Sequence, residues 1–306
     1  MNKKPLVSIL MNCYNGEEFL RESLSSILSQ NYKHWELIFW DNKSIDRSID
    51  LVSSYKDERI RIFSSKEHTN LGKARKNAFE QAKGDYLAFL DVDDIWEKEK
   101  LKTQINAFKN EEIGISFTNA FYFSKKRKEV LYKSENNMSI TTKSIITNYP
   151  LCLNSIMIDI KKLKKLDYSF DENFSHISDF DLIVRLSSIS KIKYINQVLS
   201  GWRIHNNNES FKRKNLFYYE KAKWCDMHLR KKFLEKYIKE ICELKLTTLA
   251  QIRIINYKLD FKSFSNLKIN SFSNYKNMIF TFFSFVPILP KIFIHIKNFL
   301  FKLKWF

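Results

Sequence analysis

Three aspartates stand within four positions at the end of an apolar run, in the stretch GDYLAFLDVDDIW. They are Asp91, Asp93 and Asp94, in a chain whose formal net charge is +18. Carboxylates spaced as D-x-D at a strand end can hold Mg²⁺ or Mn²⁺, which takes one or two protein carboxylates and leaves other faces for phosphates. The structural alternative is that these residues end the strand and cap a helix in EKEKLKTQINAF. Capping accounts for Asp94 but leaves Asp91 and Asp93 unexplained.

Apolar strands alternate with amphipathic helices in the first hundred residues. The segments that predict strands are LVSILMNCYN, WELIFWD, RIRIF and YLAFL, and those that predict helices are EEFLRESLSSILSQ, SIDRSIDLVSSY and LGKARKNAFEQAKG. This order predicts an α/β fold with a mostly parallel, Rossmann-like central sheet and helices on both faces. Ligands bind such sheets at the carboxyl ends of the strands. We therefore expect the loops at 12–15, 41–44 and 91–94 to converge.

The pattern becomes mixed after Lys100. It predicts a helix to about Phe108, strands around 113–123 and 151–158, a basic turn KKRK at 125–128, a helix over 179–189 and a strand over 198–203. Residues from about 215 to 257 are expected to be helical.

Positive charge is concentrated in the last third of the chain. Residues 1–211 hold 32 Lys and Arg against 28 Asp and Glu, whereas residues 212–306 hold 20 against 6. A basic region of this kind favours a polyanion or an anionic surface as partner. We expect a near-neutral body over 1–211, with halves at 1–110 and 111–211, and a basic helical region over 212–306.

The segment 278–306 mixes aromatic and apolar residues with lysines. Its first 19 residues approach the length of a membrane span, but Pro287, Pro290 and Lys291 interrupt them. An interfacial anchor on an anionic membrane is the favoured interpretation; a helix packed on protein and a true span are the alternatives.

Four scattered cysteines, Cys13, Cys152, Cys225 and Cys242, have neither zinc-site nor disulfide-framework spacing. The apolar run from Leu6 is too short for the core of a signal peptide. The sequence thus predicts a cytoplasmic protein, peripheral on the inner face of the membrane.

Four ordered segments span roughly residues 5–210: VSILMNCYN through WDNKSIDRS, NLGKARKNAFEQAKGDYLAFLDVDDIWEKEKL, SDFDLIVRL and GWRIH. In order and spacing they resemble the glycosyltransferase family 2 enzymes of GT-A fold, in particular bacterial surface-polysaccharide glycosyltransferases. The resemblance implies that FLDVDD is the D-x-D motif that holds a Mg²⁺ or Mn²⁺ ion against the diphosphate of a nucleotide-sugar donor.

The resemblance assigns further residues to the donor site. These residues are Asn12, Tyr14, Asn15, Asp41, Asn42, Arg75 and Asp91 for the nucleotide-sugar, and Asp93, Asp91 and His205 for the metal. Asn42 stands where an acid is common, and Lys76 stands where the family has Asn after Arg75.

The resemblance also implies that Asp179 is the general base toward an acceptor hydroxyl, in an inverting displacement. Asp181 is the alternative base, and a helix cap is the structural alternative for Asp179. The implied product belongs to lipopolysaccharide or capsule synthesis, with a glycan or lipid-linked acceptor and a nucleotide-diphosphate sugar as donor, of which a UDP-sugar is the favoured kind.

Two other functions would account for single features of the sequence. FLDVDD superficially resembles the motif of haloacid-dehalogenase-like phosphatases, but that motif normally lies on the first strand of the chain. A non-catalytic basic module that binds membrane or nucleic acid is the second, although no nucleic-acid recognition motif is present. The sugar, the nucleoside, the acceptor and the oligomeric state are not determined by the sequence.

Overall fold

The structure, a computed structural model, describes residues 4–132 and 140–256. The segment 278–306, for which an interfacial anchor is predicted, lies outside the described residues. The described residues form two compact units, one containing 4–132, 140–142 and 150–204 and the other containing 143–149 and 205–256.

One mixed sheet forms the centre of the first unit. Its strands are β1 (Val7–Cys13), β2 (Trp35–Asp41), β3 (Ile60–Ser64), β4 (Tyr86–Phe89), β5 (Ile95–Trp96), β6 (Ile113–Phe123), β7 (Lys128–Val130), β8 (Ile156–Asp159) and β9 (Lys191–Arg203). They are ordered β3-β2-β1-β4-β8-β6-β9-β5, and β7 pairs with β6. The first four strands are parallel, as predicted, while β8 is antiparallel to both β4 and β6.

This topology fixes which strand ends meet. Because β8 runs opposite to both neighbours, β6 runs in the same direction as β4. The carboxyl ends of β1, β2, β4, β6 and β9 therefore lie at one edge of the sheet, together with the beginnings of β5 and β8.

Helices cover both faces of the sheet. The helices of this unit are α1 (Glu17–Leu28), α2 (Ser48–Ser53), α3 (Leu71–Glu80), α4 (Lys100–Ile105), α6 (Ile160–Leu163) and α7 (Ser178–Ser187), while α5 (Thr142–Thr147) crosses the boundary between the units. Alternate residues of β1, such as Ile9 and Met11, pack with Leu20 and Leu24 of α1 in one buried core. On the other face, α3 lies against β1 and β2 and buries Ala74 and Ala78.

The second unit is helical in its described part, as the sequence predicts. It contains α8 (Glu209–Lys212), α9 (Lys214–His228), a 3-10 segment Lys232–Tyr237 and α10 (Ile238–Asn256). Helices α9 and α10 pack together, with Trp224 and Ile241 buried. Lys143 and Glu240 form an ion pair of 2.9 Å within this unit.

Several predicted boundaries were wrong. The predicted helix after Asp94 begins only at Lys100, because residues 95–96 pair with β9 as an edge strand. The strand predicted over 198–203 begins at Lys191 and pairs with β6 along its length. The segment 151–158 is a short 3-10 turn, Leu153–Ser155, followed by β8.

Candidate active site

The three polar loops predicted to converge do meet at the carboxyl edge of the sheet. The backbone N–H of Asn42 donates to Cys13 O at 2.7 Å, and that of Asn15 donates to Ser44 Oγ at 2.9 Å. On the other side, Gly16 approaches the D-x-D loop so closely that a Cβ atom would lie 2.8 Å from Val92 Cγ2. A side chain at position 16 would therefore force Val92 or its neighbours to shift.

The loop after β2 is ordered by its own polar side chains. The buried carboxylate of Asp41 accepts the backbone N–H groups of Lys43 and Ser44, and it thereby stabilises the positive φ of 66° at Lys43. The amide of Asn42 is also buried: its Nδ2 donates to Thr69 O at 2.7 Å, and its Oδ1 accepts from Thr69 N and Oγ1. Asp41 and Asn42 thus shape the loop in which the resemblance places contacts to the nucleotide-sugar.

The loop after β1 presents an aromatic ring and an unused donor. The ring of Tyr14 is 49% exposed and lies 4.1 Å from the ring of His68, measured between centroids. The Nδ2 group of Asn12 is buried and has no hydrogen-bond partner among the described residues. Asn15 adopts a φ of 55°, and its Oδ1 accepts the N–H of Ile45 at 2.9 Å. A buried amide donor that lacks a protein acceptor is suited to a ligand carbonyl or hydroxyl group.

Asp91, the first acid of the D-x-D motif, lies beside Arg75. Its side chain is 43% exposed and lies 3.9 Å from Arg75 Nη2. Loss of water around the carboxyl group raises its pKa to about 6; the charge of Arg75 opposes this rise, whereas those of Asp93 and Asp179 add to it. Asp93 and Asp179 therefore both lie close enough to Asp91 for their charges to raise its pKa, although Asp179 comes from a distant part of the chain.

Asp94 does not cap a helix, contrary to the structural alternative drawn from the sequence. Helix α4 begins six residues later, and its N-cap residue, Glu99, makes no side-chain cap bond. The carboxylate of Asp94 instead accepts Asn154 Nδ2 at 2.6 Å and the backbone N–H of Arg203 at 2.9 Å. Burial raises its pKa well above the usual value, and the charges of Asp93 and Asp91 add to the effect. These hydrogen bonds of Asp94 attach the D-x-D loop to the segments that carry Asn154 and Arg203.

Arg203, at the end of β9, also binds the D-x-D loop through its side chain. Its Nε donates to Asp93 O at 2.8 Å, and its guanidinium also pairs with Glu22 on α1. The guanidinium carbon lies 4.4 Å from the centroid of the Phe123 ring. No role for Arg203 is predicted from the sequence, in which its place in GWRIH is the only signal.

Arg75 joins the D-x-D loop to the beginning of α7. It is 6% exposed, and its Nη1 donates to Ser178 Oγ at 2.8 Å while Nη2 faces Asp91. The helix that carries Arg75, α3, lies directly on the loop that leads into α7. A Cβ atom at Gly72 would be 2.1 Å from Phe174 O and 2.5 Å from Asp171 O. Arg75, which is predicted to bind the nucleotide-sugar, thus also connects two parts of the site.

The two candidate bases on α7 have different environments. Helix α7 begins at Ser178 with Ile177 as N-cap and no side-chain cap bond, so Asp179 lies in the first turn and is not the cap. Asp181 is fully buried and accepts Nε and Nη2 of Arg185 at 3.0 and 2.6 Å. Arg185 in turn donates to the backbone carbonyls of Tyr168 and Ser169. Asp181 is therefore structural, and Asp179 is the half-buried carboxylate near Asp91.

The carboxylates fit a hard divalent cation. Within the described ranges, no group of three or more His, Cys, Asp or Glu side chains has the geometry of a metal site. A Mg²⁺ or Mn²⁺ ion, however, needs only one or two protein carboxylates when substrate phosphates complete its shell. Asp91 and Asp93 are chemically suited to be that donor set, and their role as metal ligands stays a prediction. His205 belongs to the second unit, where its backbone N–H donates to Asn208 Oδ1 at 2.7 Å. The metal-binding role of its side chain stays a prediction.

Comparison with known proteins identifies the family. Residues 8–169 match the family described as Glycosyl transferase family 2, and this match covers more than half of the chain. The chain belongs to glycosyl transferase family 2. Its glycosyltransferase activity follows from this membership, which confirms the resemblance found in the sequence.

Curated relatives in this family align over most of their own length. The putative teichuronic acid biosynthesis glycosyltransferase TuaG of Bacillus subtilis is 28% identical over 77% of this chain and 98% of its own. The UDP-Glc:alpha-D-GlcNAc-diphosphoundecaprenol beta-1,3-glucosyltransferase WfgD of Escherichia coli is 29% identical over 72% of this chain and 84% of its own.

Solved structures of glycosyltransferases share the fold. S. aureus TarS 1-349 superposes with a TM-score of 0.65 at 18% identity, covering 92% of this chain and 80% of its own. The mannosyltransferase PcManGT of Pyrobaculum calidifontis, in complex with GDP-Man and Mn²⁺, gives a TM-score of 0.60 at 12% identity, covering 94% and 86%. These likenesses confirm the predicted GT-A fold. No helix within 4–132 and 140–256 is long and apolar enough to cross a membrane.

Proposed function

We propose that this glycosyltransferase is metal-dependent and inverting. It would transfer a sugar from a UDP-sugar to a hydroxyl group of a glycan or lipid-linked oligosaccharide acceptor in the synthesis of a cell-surface polysaccharide such as lipopolysaccharide or capsule. The proposed catalytic domain spans 1–211, with a nucleotide-binding half at 1–110 and an acceptor half at 111–211.

The observation that carries the proposal is the position of Arg75. Its guanidinium faces Asp91 of the D-x-D loop and donates to Ser178, the residue before Asp179. The acids proposed for the donor and acceptor sides of the reaction are thereby brought to one place, as a displacement between two substrates requires.

Each residue of the site then has a chemical role. Asn12, Tyr14, Asn15, Asp41 and Asn42 would line the nucleoside pocket, and Arg75 would face the donor phosphates. Asp93 and Asp91, with His205 as a further ligand, would hold Mg²⁺ or Mn²⁺. When bound, this ion supplies Lewis-acid stabilisation of charge on the leaving diphosphate.

Asp179 would take the proton from the acceptor hydroxyl as that oxygen attacks the anomeric carbon from the face opposite the nucleotide. It lies in the first turn of α7, at the amino end of the helix, which carries partial positive charge. General-base catalysis of this kind contributes about 10²- to 10⁴-fold in rate.

The nature of the donor and acceptor is supported by the relatives. WfgD uses UDP-Glc and an undecaprenol-linked acceptor by name, and TarS has been solved with UDP and with UDP-GlcNAc. Lipid-linked acceptors lie at a membrane, and the basic C-terminal region, including 278–306, would hold the enzyme on the anionic cytoplasmic leaflet. A basic residue near such a surface contributes about 1 kcal/mol.

Calorimetric titration tests the donor site directly. The full-length protein is titrated with UDP, GDP, CDP and dTDP, each with Mn²⁺ and with EDTA, and the titrations are repeated on Asp93→Ala. We expect binding of UDP that requires Mn²⁺ and is lost in Asp93→Ala. Glu112→Ala is the matched control, because Glu112 precedes β6 at the opposite edge of the sheet and is exposed.

Product analysis tests the remaining features. The transfer product formed from a UDP-sugar and a polyprenyl-diphosphate sugar acceptor is examined by NMR, and inversion at the anomeric carbon is expected. Failure of a folded protein to bind any of the four nucleotides would refute the donor site, and a retained anomeric configuration would refute the role of Asp179.

A further inference from the structure

Asn154 is far from the D-x-D motif in sequence but lies next to it in the fold. It belongs to the short 3-10 turn before β8, and β8 runs antiparallel to β4. The beginning of β8 therefore lies at the sheet edge where β4 ends and the motif begins. Asn154 is 1% exposed, so its polar atoms depend on protein partners.

Every polar group of the Asn154 side chain is engaged. Its Nδ2 donates to Asp94 Oδ2 at 2.6 Å and to Gly201 O at 3.0 Å. Its Oδ1 accepts the thiol of Cys152 at 3.0 Å, which fixes the orientation of the amide. The Nε1–H of Trp96 donates to Asn154 O at 2.7 Å and holds the backbone. An amide bound in this way has one orientation, with the donor end toward Asp94.

The contact reaches the metal-binding acids through two bonds. Asp94 accepts from Asn154 and from the backbone of Arg203, while its own N–H donates to Asp91 O at 3.1 Å. Asp94 is 4% exposed, so a carboxylate deprived of one donor would be left partly unsatisfied in a buried place. The loop would then shift to recover a partner from solvent.

We propose that Asn154 is a positioning residue for the D-x-D loop, which sets the placement of Asp91 and Asp93 through Asp94. The consequence for metal and donor binding rests on the proposed function; the consequence for the loop itself does not. Outer-shell partners of carboxylate ligands typically contribute about 10- to 100-fold in metal affinity.

The test compares Asn154→Ala with Asn119→Ala in the full-length protein. Asn119 is an equally buried amide on β6 whose Nδ2 donates to Tyr132 O at 2.9 Å and whose Oδ1 accepts the N–H of Ala120. Both substitutions remove a buried amide, so both lower stability, but only Asn154 contacts the D-x-D loop. Asn154→Ser, which keeps a hydroxyl donor, serves if Asn154→Ala does not fold.

The first readout is hydrogen exchange of the ligand-free protein. We expect the amides of residues 91–95 to exchange about tenfold faster in the Asn154 variant than in wild type, and to be unchanged in Asn119→Ala. The second readout is calorimetry with UDP and Mn²⁺, in which we expect the Kd to rise about 10- to 100-fold in the Asn154 variant only.

The outcomes separate the two claims. Equal exchange at 91–95 in the two variants would overturn the positioning role, and so would equal Kd values. If the wild-type protein binds no nucleotide, the proposed function fails, and the exchange measurement still decides whether Asn154 positions the loop.

Discussion

Arg75 and Ser178 are joined by a hydrogen bond of 2.8 Å although they stand 103 positions apart in the chain. The same guanidinium lies 3.9 Å from Asp91, so one buried side chain contacts both the D-x-D loop and the beginning of α7. The distance between the acids proposed to bind the donor and Asp179 depends on this bridge.

Replacement of Arg75 by Lys should therefore reduce transfer more than it reduces stability. Lys has a single ammonium group and lacks the fork that reaches two partners. We expect kcat to fall about 100-fold, as for a small misplacement of reacting groups. Arg59→Lys is the control, because Arg59 pairs with Asp57 just before β3, at the opposite edge. Equal rates for the two variants would contradict the bridge.

Asp179→Asn and Asp181→Asn should separate chemistry from stability. The first should leave the melting temperature within a few degrees of wild type and lower the transfer rate about 10²- to 10⁴-fold. The second deprives the buried Arg185 of its ionised partner, so the free energy of unfolding should fall by about 3 kcal/mol. Urea unfolding and a transfer assay on both variants check this. A fully active Asp179→Asn would eliminate it as the base.

Asp91→Asn should raise the stability of the ligand-free protein while abolishing transfer. The pKa of Asp91 is raised from 3.8 to about 6, so its ionised form is disfavoured in the folded state. Protonation of Asp91 therefore raises the free energy of unfolding relative to its value at high pH. This contribution is fully present below pH 3.8 and is lost as the pH rises through 6. Since the side chain is partly solvated, we expect Asp91→Asn to raise the free energy of unfolding at pH 8 by only about 1 kcal/mol, which corresponds to roughly 2–4 °C in Tm.

The pH dependence of that effect is its control. Below pH 3.8 the carboxyl group is protonated in both the folded and the unfolded states, so the advantage of Asp91→Asn should vanish there. Thermal unfolding curves at pH 8 and near pH 3.5 measure it. A variant less stable than wild type at pH 8 would show that the attraction to Arg75 outweighs the loss of water.

Gly72→Ala should displace the loop before α7. A methyl group at this position would meet two backbone carbonyls at 2.1 and 2.5 Å, and backbone atoms cannot rotate away as side chains do. We expect a stability loss of about 1–3 kcal/mol and a lower kcat, with nucleotide affinity retained because the two carbonyls belong to the proposed acceptor half. Lys73→Ala, on the exposed face of α3, should change neither quantity. Unchanged kcat in Gly72→Ala would contradict this.

Local sequence patterns predicted the architecture well. Apolar runs and helical periodicity located β1 to β4 and α1 to α3, and the rule for parallel strands predicted that the loops at 12–15, 41–44 and 91–94 meet at one edge. These features could be read because each depends on neighbouring residues or on the direction of a strand. Membership of the family followed from the order of four motifs.

Only the tertiary structure decided what the individual acids do. Asp94 follows a D-x-D motif and precedes a helix-forming run, so the sequence favoured a cap, yet its partners come from residues 154 and 203. Asp181 and Asp179 are two positions apart on one helix, but the first faces Arg185 in the core and the second lies near Asp91. The type of side chain and its spacing determined which groups were available for chemistry. Burial and partners distant in sequence determined their roles, because these depend on how the strands and helices pack.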